Sequence, residues 1–327
     1  MIETEEILPG LWRFPIPLPN NPLRWLNCYV IRPMQGRNLL IDTGFNRSEC
    51  LQALMEGIEA LGLELKNTDV FISHCHSDHV GSAGNLQKLG CRILMGRLDR
   101  ECERRMKSGR ADLEKRALSE GMPRDIYELT QQNSYGKRFP NAEFEAVGLE
   151  DGDVLEYGGY SLRCIMTPGH TPGHMCLYEA GKKLMFLGDH VLFDISPNIT
   201  FSLRMEDSLG HYMESLRRVR ELPVDYPLPA HRNLGTVSLT ERIDRLLAHH
   251  EARLSEAEEI IKAEPELSAY EIAGRMRWKI RADSWDDFPP SQKWFAFGET
   301  LAHLDRLLIE KRVEGKCVHG IVRYIST

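Results

Sequence analysis

Four potential metal ligands fall within six residues of the stretch Ser73-His74-Cys75-His76-Ser77-Asp78-His79. The stretch follows Asp69-Val70-Phe71-Ile72, a short apolar run typical of a buried strand. Because His74 and His76 are two positions apart, an extended backbone directs both side chains to the same side. Imidazole and carboxylate groups together suit Zn, Fe or Mn. The spacing therefore predicts a metal site in the loop at the end of this strand.

The segments on either side of this loop alternate between strand and helix patterns. The apolar runs 26–31 and 38–42 predict two strands, and the second run is followed by a Thr-Gly pair. Large apolar residues recur at helical spacing over residues 48–62, and residues 84–89 predict a further helix. Strands that alternate with helices are typical of α/β proteins, so we predict an α/β layered core.

Residues 97–138 differ from this pattern because they are rich in Arg, Glu and Lys and poor in β-branched residues. Their helical spacing predicts a helical insertion between two halves of the core. The arginines of this insertion either attract an anionic substrate or form a solvated helix face. Strand patterns resume over residues 143–166 and 175–188.

The character of the chain changes again beyond about residue 236, where helix patterns dominate. Long helices are predicted over residues 239–261 and 292–311. A shorter helix is predicted over residues 268–276, with Ser268 as its N-cap and Glu271 completing a capping box.

Two apolar runs between residues 313 and 324 predict a terminal β-hairpin. Helices followed by a hairpin resemble a winged-helix module. We therefore predict a catalytic domain over residues 1–235, which includes the helical insertion 97–138, and a small, mainly helical domain over residues 236–327.

The bulk composition is that of a globular protein, since 42% of the 327 residues are hydrophobic and 27% are charged. The net charge of −7 and the isoelectric point of about 6.0 give no general attraction to nucleic acid or anionic lipid. The eight cysteines form no Cys-x-x-Cys pair, and the sequence has neither a signal-peptide pattern nor a long apolar run. We therefore predict a cytoplasmic location and no membrane partner.

Four further motifs accompany the histidine loop. They are Leu40-Ile41-Asp42-Thr43-Gly44, Met166-Thr167-Pro168-Gly169-His170-Thr171-Pro172-Gly173-His174, Leu187-Gly188-Asp189 and Pro229-Ala230-His231. In this order the five motifs resemble the metallo-β-lactamase superfamily over about residues 1–235. The chain is similar in particular to its glyoxalase II-like group, some members of which carry a C-terminal winged-helix-like module.

The resemblance implies an αββα sandwich with two divalent metal ions at the edge of its two sheets. The first ion would be bound by three histidines, and the second by one aspartate and two histidines, with another aspartate bridging the ions. Matching positions assign His74, His76 and His170 to the first ion, Asp78, His79 and His231 to the second, and Asp189 to the bridge. Zinc is the expected metal, and the same ligands accept Fe or Mn.

The resemblance also implies the chemistry of hydrolysis. A hydroxide that bridges the two metals would attack the substrate, while one metal polarises the substrate oxygen. Asp78, as a ligand of the second ion, is a predicted catalytic residue. Asp42 is the other, because it would orient a ligand imidazole from behind. The alternative for Asp42 is a strand-end cap.

Three side chains are candidates for contact with the substrate. Trp25 flanks a proline-rich stretch in the N-terminal hairpin, which overhangs the cleft in the family, and core packing is the alternative for it. His190 and Phe193 follow directly after Asp189, in the stretch that lines the cleft in the family.

We predict a dinuclear metal-dependent hydrolase that cleaves a small ester, thioester or lactone, with a small molecule as its partner. Glyoxalase II carries a Gly-Cys-Gly-Arg segment that is missing here, and class B β-lactamases place a cysteine where this chain has Asp189. One alternative is a nuclease or phosphodiesterase, although the near-neutral C-terminal region does not favour RNA. Another is a non-hydrolytic, metal-bound sensor or scaffold. A homodimer through the helical insertion is also predicted.

Overall fold

The computed structural model describes residues 2–105, 110–132, 141–280 and 282–327. Contacts between Cα atoms divide the chain into two compact units. The first comprises Met1–Glu103, Phe139–Pro197 and Ser215–Ile243, and the second comprises Arg104–Arg138, Asn198–Glu214 and Asp244–Thr327. The division into domains that was predicted from the sequence stays a prediction.

The first unit contains a seven-stranded sheet within the described residues, and the strands follow one another across the sheet in chain order. They are β1 (Glu5–Leu8), β2 (Leu11–Pro17), β3 (Trp25–Ile31), β4 (Asn38–Ile41), β5 (Thr68–Ile72), β6 (Arg92–Gly96) and β7 (Ala146–Leu149). Strands β1 to β4 pair antiparallel, and β4 to β7 pair parallel. Every residue of β5 is buried, as expected for a parallel strand that is covered on both faces.

A second sheet of the first unit has five strands in the described ranges, in the order β12-β11-β10-β9-β8. They are β8 (Val154–Tyr157), β9 (Tyr160–Met166), β10 (Met175–Glu179), β11 (Leu184–Gly188) and β12 (Tyr226–Pro229). Neighbours from β8 to β11 are antiparallel, whereas β12 is parallel to β11.

The hydrophobic core of the first unit lies between these two sheets. Tyr29 of β3 and Phe186 of β11 meet edge to face with ring centroids 5.4 Å apart. The helix Ser48–Ala60 covers the outer face of β2, where a Cβ atom at Gly57 would lie 2.5 Å from the Phe14 ring. Glycine at this position therefore allows the helix to approach the sheet closely. The predicted α/β class with a layered sandwich is confirmed.

Some of the remaining helices agree in place with predicted ones, whereas no helix was predicted at Leu65–Asn67, Ser77–Val80 or Ser208–Arg220. Shorter segments of the first unit are Leu65–Asn67, Ser77–Val80 and Ala83–Lys88. Helices that begin in one unit and end in the other are Arg97–Arg105, Ser208–Arg220 and Leu239–Ala263. Among the helices that the structure describes, none is long and apolar enough to cross a membrane.

The second unit is mainly helical. Its further elements are the helices Arg110–Ser119, Arg124–Gln132, Ala269–Arg275 and Pro290–Ile309, and the hairpin strands β13 (Val313–Val318) and β14 (Ile321–Ser326). The predicted capping box is present, because the side chains of Ser268 and Glu271 cap the helix Ala269–Arg275 reciprocally. Of the predicted insertion 97–138, residues 106–109 and 133–138 lie outside the described residues.

Candidate metal centre

The strands bring five chain segments to one edge of the sandwich. In the first sheet, Asp42 and the loop 73–79 follow the parallel strands β4 and β5. In the second sheet, β9 and β11 both run antiparallel to β10, and β12 runs parallel to β11. These three strands therefore share one direction, and their ends lead into the loop 167–174, Asp189 and His231.

Three of the predicted ligands form a first group. Nε2 of His74 lies 3.0 Å from Nδ1 of His76. The ring of His170 lies across the same space, with its centroid 4.8 Å from that of His74 and 4.5 Å from that of His76. One ligand atom from each of the three rings lies within 4.8 Å of the others, which is close enough for a shared metal ion.

Three further predicted ligands form a second group. Nε2 of His79 lies 3.1 Å from Nε2 of His231, and the latter atom lies 3.5 Å from Oδ2 of Asp78. These ligand atoms also lie within 4.8 Å of one another, and all three residues are buried. The geometry of this group is therefore suitable for a second cation.

Asp189 lies between the two groups and directs one carboxylate oxygen at each. Its Oδ2 lies 3.5 Å from Nε2 of His170 and 4.0 Å from Nε2 of His74. Its Oδ1 lies 3.3 Å from Nε2 of His231 and 3.7 Å from Nε2 of His79. The position of the carboxylate therefore matches that of a group shared between two metal ions.

Outer hydrogen bonds set which ring nitrogens carry a proton. Asp42 accepts from Nδ1 of His79 at 2.8 Å, and it also accepts from the backbone N–H and the hydroxyl of Ser73 at 2.8 Å each. The Ser73 oxygen in turn lies 3.1 Å from Nδ1 of His74, and the carbonyl of Trp25 lies 3.0 Å from Nδ1 of His231. Because these oxygens accept, each Nδ1 donates, and the Nε2 atom of each ring in its neutral form directs its lone pair into the centre.

Burial keeps His74 and His76 of the first group uncharged. Desolvation, together with the charges of the neighbouring imidazoles, lowers the pKa of His74 well below its ordinary value. Desolvation and the charge of His170 likewise lower the pKa of His76. A neutral imidazole is the form that binds a metal, so both rings are ready to act as ligands.

Carboxylates dominate the electrostatics of the second group. Burial acts to lower the pKa of His79, but the charges of Asp42, Asp189 and Asp78 outweigh this effect and raise the pKa well above its ordinary value. Burial acts to raise the pKa of Asp189, but the charges of His231 and His79 outweigh it and hold the pKa well below its usual range. The carboxylate of Asp189 is therefore ionised.

These atoms fit a divalent cation in two respects. Nε2 of His79 and Nε2 of His231 lie 3.1 Å apart, a distance that requires a proton between them unless a cation bound beside both atoms takes the place of that proton. Oδ1 of Asp189 is buried and has no hydrogen-bond partner in the part of the chain that the structure describes. A buried polar atom without a partner requires an explanation, and a bound cation supplies one.

Asp99 is a further residue of the site that the sequence analysis missed. Its buried carboxylate accepts the Cys75 N–H at 2.9 Å, the Thr171 hydroxyl at 2.6 Å and the Gly173 N–H at 2.6 Å. It therefore ties together the two loops that carry the first group of histidines. Burial raises its pKa, which the three donors partly oppose. No local sequence pattern marks Asp99, since its partners lie 24 to 74 positions away.

His174 supports Asp189 through a hydrogen bond to its backbone. Its Nδ1 lies 2.7 Å from the Thr167 hydroxyl, and its Nε2 accepts the backbone N–H of Asp189 at 3.1 Å. Gly188 has a φ of +51°, and a Cβ atom there would lie 2.6 Å from the His174 ring. Glycine is therefore required where the chain turns into Asp189.

The three predicted substrate contacts have different surroundings. Trp25 is half-buried beside His231, and its indole N–H donates to Asn27 at 3.2 Å. Phe193 is half-buried and packs against the backbone of Gly235, where a Cβ atom would lie 2.2 Å from the ring. The structure does not bring His190 to the surface, because its side chain is fully buried and burial lowers its pKa to about 3.

Known proteins share this fold over the whole chain. A crystal structure of a metallo-beta-lactamase family protein from Thermus thermophilus matches with a TM-score of 0.84 and 26% identity, covering 98% of this chain and 100% of that one. A beta-lactamase domain protein from Burkholderia ambifaria matches with a TM-score of 0.80 and 28% identity, covering 99% and 95%.

Curated relatives are more distant in sequence. The lactamase-like protein adaB of Aspergillus niger is 24% identical, covering 93% of this chain and 92% of its own length. The atrochrysone carboxyl ACP thioesterase of Emericella nidulans is 25% identical, covering 72% and 60%. The family model described as the metallo-beta-lactamase superfamily matches residues 26–231, which include all seven predicted metal ligands. The chain therefore belongs to the metallo-beta-lactamase superfamily.

Proposed function

We propose that this protein is a dinuclear metal-dependent hydrolase that cleaves a small carboxylic ester, thioester or lactone. The observation that carries the proposal is the position of Asp189, whose two oxygens face two separate groups of ligands at 3.3–4.0 Å. A carboxylate between two groups of imidazoles is what a pair of metal ions needs in order to be held close together.

The residues of the chain would hold the metals as follows. His74, His76 and His170 would bind one ion, and the second group would bind the other. Five neutral imidazoles and two carboxylates would leave the centre with a net positive charge, which attracts an electron-rich carbonyl oxygen. When bound, such ions lower the pKa of a water molecule towards neutrality and polarise the substrate carbonyl. Zinc suits this nitrogen-rich set of ligands, as do Fe and Mn.

The outer partners of the ligands would contribute by fixing geometry. Asp42 and Ser73 hold the rings of His79 and His74, and Asp99 holds the loops on either side of the first group. Such supports keep the ligands in place when the substrate binds, and their loss typically lowers metal affinity or activity 10–100-fold. One relative bears the name of a thioesterase, and this supports a thioester as one substrate class.

The test is hydrolysis by the metal-loaded protein, with metal content measured in parallel by mass spectrometry. The substrates are acetyl-coenzyme A, S-lactoylglutathione, an acyl homoserine lactone, 4-nitrophenyl acetate and bis(4-nitrophenyl) phosphate. We expect turnover of at least one carboxylic substrate and its loss in an Asp78→Ala, His79→Ala double variant. The matched control is Asp225→Ala, an exposed position paired with Lys183.

Two outcomes would contradict the proposal. Turnover of the phosphodiester alone would assign the protein to the phosphodiesterase alternative. Turnover of no substrate by a protein that carries two metal ions per chain would favour a sensor or scaffold.

A further inference from the structure

A cavity of about 720 Å³ lies beside the metal centre within the first unit. Part of its wall consists of alternate residues of β2 and β3, among them Pro15 and Pro17, which pair with Asn27 and Trp25. Alternate residues of a strand share one face, and further along β3 the same face carries the core residue Tyr29. The cavity therefore lies where the inner face of the first sheet extends beyond the core.

The cavity wall is joined directly to a predicted metal ligand. The carbonyl of Trp25 accepts from Nδ1 of His231 at 3.0 Å. The amide of Asn27 donates to the carbonyls of Pro229 at 3.0 Å and of Arg232 at 2.9 Å. Trp25, Asn27 and Arg232 all line the cavity, and Arg232 directly follows His231 in the chain, so the cavity adjoins the second group of ligands.

Two arginines of the wall have a strained backbone. Arg24 has a φ of +70° and Arg232 a φ of +61°, a region that residues other than glycine rarely adopt. Strain of this kind persists where the surroundings enforce it, and it concentrates at functional sites. In Arg232 the Nε atom is also buried and has no hydrogen-bond partner among the described residues, whereas one Nη donates to the carbonyl of Pro22.

The charges of the wall are not balanced. Five charged residues line the cavity, namely Glu3, Glu5, Arg13, Arg24 and Arg232. The guanidinium of Arg13 forms an ion pair with Glu5. In the described parts of the chain, neither Arg24 nor Arg232 lies within ion-pairing distance of a carboxylate. Three arginines and two glutamates leave the wall with a net charge of +1, and this charge beside the indole of Trp25 favours an anion that also has an apolar portion.

We propose that this cavity is the binding subsite for an oxyanion of the substrate, a carboxylate or a phosphate that lies away from the scissile bond. Arg24 and Arg232 would bind the oxyanion through their N–H groups, and Trp25 would pack against the apolar chain next to it. The proposal rests on the proposed hydrolase function, since the scissile bond would lie at the metal centre. It makes Arg24 and Arg232 the residues that select anionic over neutral substrates.

The test compares three thioesters of pantetheine. S-acetylpantetheine is neutral, acetyl-coenzyme A has phosphates on the leaving group, and S-succinylpantetheine has a carboxylate on the acyl group. The variants are Arg24→Gln and Arg232→Gln, because glutamine keeps an unbranched side chain and has the same difficulty as arginine with a positive φ. Arg217→Gln is the matched control, since Arg217 is exposed and does not line the cavity.

We expect kcat/KM for one of the anionic thioesters to fall about tenfold or more, relative to the neutral one, in both cavity variants. The loss should appear mainly in KM, because the contact would be equally strong in the ground state and the transition state. The anionic substrate that is affected identifies the oxyanion as a phosphate or a carboxylate. Equal losses for all three thioesters, or the same preference as in the control, would overturn the proposal.

A binding experiment separates failure of the subsite from failure of the hydrolase proposal. If the wild-type protein hydrolyses no thioester, calorimetry of the metal-loaded protein with succinate and with adenosine 3′,5′-bisphosphate still tests the cavity. Binding that weakens about tenfold in Arg24→Gln and Arg232→Gln, but not in Arg217→Gln, supports the subsite. No binding by the wild type, or equal binding by all variants, overturns it.

Discussion

The candidate metal centre and a pair of histidines in the second unit are both clusters of buried imidazoles, but they differ in the groups that surround the rings. In the second unit, Nδ1 of His250 lies 3.2 Å from Nε2 of His303, and the two rings are stacked. His303 donates to the backbone carbonyl of Glu299 at 2.7 Å. The described residues place no third ligand atom beside this pair, whereas the metal centre joins five imidazoles to two carboxylates.

Close imidazoles alone therefore do not make a metal site. At the metal centre, outer acceptors such as Asp42 direct lone pairs inward, and the carboxylate of Asp189 offsets the charge of a cation. In the second unit, burial and the charge of His303 lower the pKa of His250, and among the described residues no carboxylate is grouped with the pair to offset a cation. Neutral rings without carboxylates pack as part of a core.

The largest effect is expected from Asp189→Asn, which removes the charge between the two ligand groups. We expect the activity to fall about 10³-fold or more, because metal-centred stabilisation is worth several kcal/mol and each 1.36 kcal/mol is tenfold in rate. Mass spectrometry should also find less metal per chain. Asp225→Asn is the control. If the metal content of Asp189→Asn is unchanged, Asp189 does not bind a metal.

A smaller effect is expected from Asp42→Asn. Asp42 has a φ of +62°, a conformation that asparagine adopts readily, so the backbone should be preserved. The amide is a weaker acceptor for Nδ1 of His79 and no longer fixes its proton. We expect metal affinity, measured by competition with a chelator, to fall 10–100-fold. An unchanged affinity would mean that Asp42 only caps the strand.

Asp99→Asn tests whether one carboxylate holds the two histidine loops together. The amide would direct an N–H group at one of the three donors, so we expect about 1–3 kcal/mol of lost stability in chemical unfolding. Activity should fall about tenfold as the loops loosen. Thr171→Val removes only one of the three donors and should lower the stability less than Asp99→Asn does. If Thr171→Val lowers the stability as much as Asp99→Asn does, the carboxylate does not hold the two loops together.

The smallest effect concerns the histidine pair of the second unit. Burial lowers the pKa of His303 to about 3, whereas the unfolded value is about 6.5. As the pH falls, His303 is protonated in the unfolded chain before it is protonated in the folded chain. The free energy of unfolding therefore shows no loss from His303 above about pH 6.5, and it decreases as the pH drops towards 3. At about pH 5.5 the loss is about 1.4 kcal/mol.

The measurement is denaturant unfolding of wild type and His303→Phe at about pH 7.5 and 5.5. Phenylalanine keeps a flat ring but does not titrate. We expect the variant to lose about 1.4 kcal/mol less than the wild type over this interval. Parallel losses would mean that His303 does not titrate differently in the folded and unfolded chains.

Much of the molecule could be predicted from the sequence. The apolar runs predicted β3 and β5, and the pair of Ser268 and Glu271 predicted a capping box that the structure contains. These features depend on neighbours within a few residues, where spacing fixes the geometry. The motif residues from His74 to His231 were expected in one place, and the strand ends bring them together.

Other features could not be predicted from the sequence because they depend on contacts between distant segments. Asp99 has no motif, since Thr171 and Gly173 reach it only when β6 and β9 end at the same edge of the sandwich. His190 follows a metal ligand and was expected to reach the substrate, yet the fold buries it completely. From the sequence, the arginines of residues 97–138 were considered as a site that attracts an anionic substrate, whereas the arginines of the cavity were not singled out.

The chemistry of the ligands and the family could be predicted from the amino-acid sequence alone. These are properties of residue type and local spacing, which do not depend on how the sheets meet. The fold was needed to show that Asp189 directs its two oxygens at different histidine groups and that Arg24 and Arg232 line one cavity. Such contacts depend on strand register and on the packing of segments that lie up to 210 residues apart in the chain.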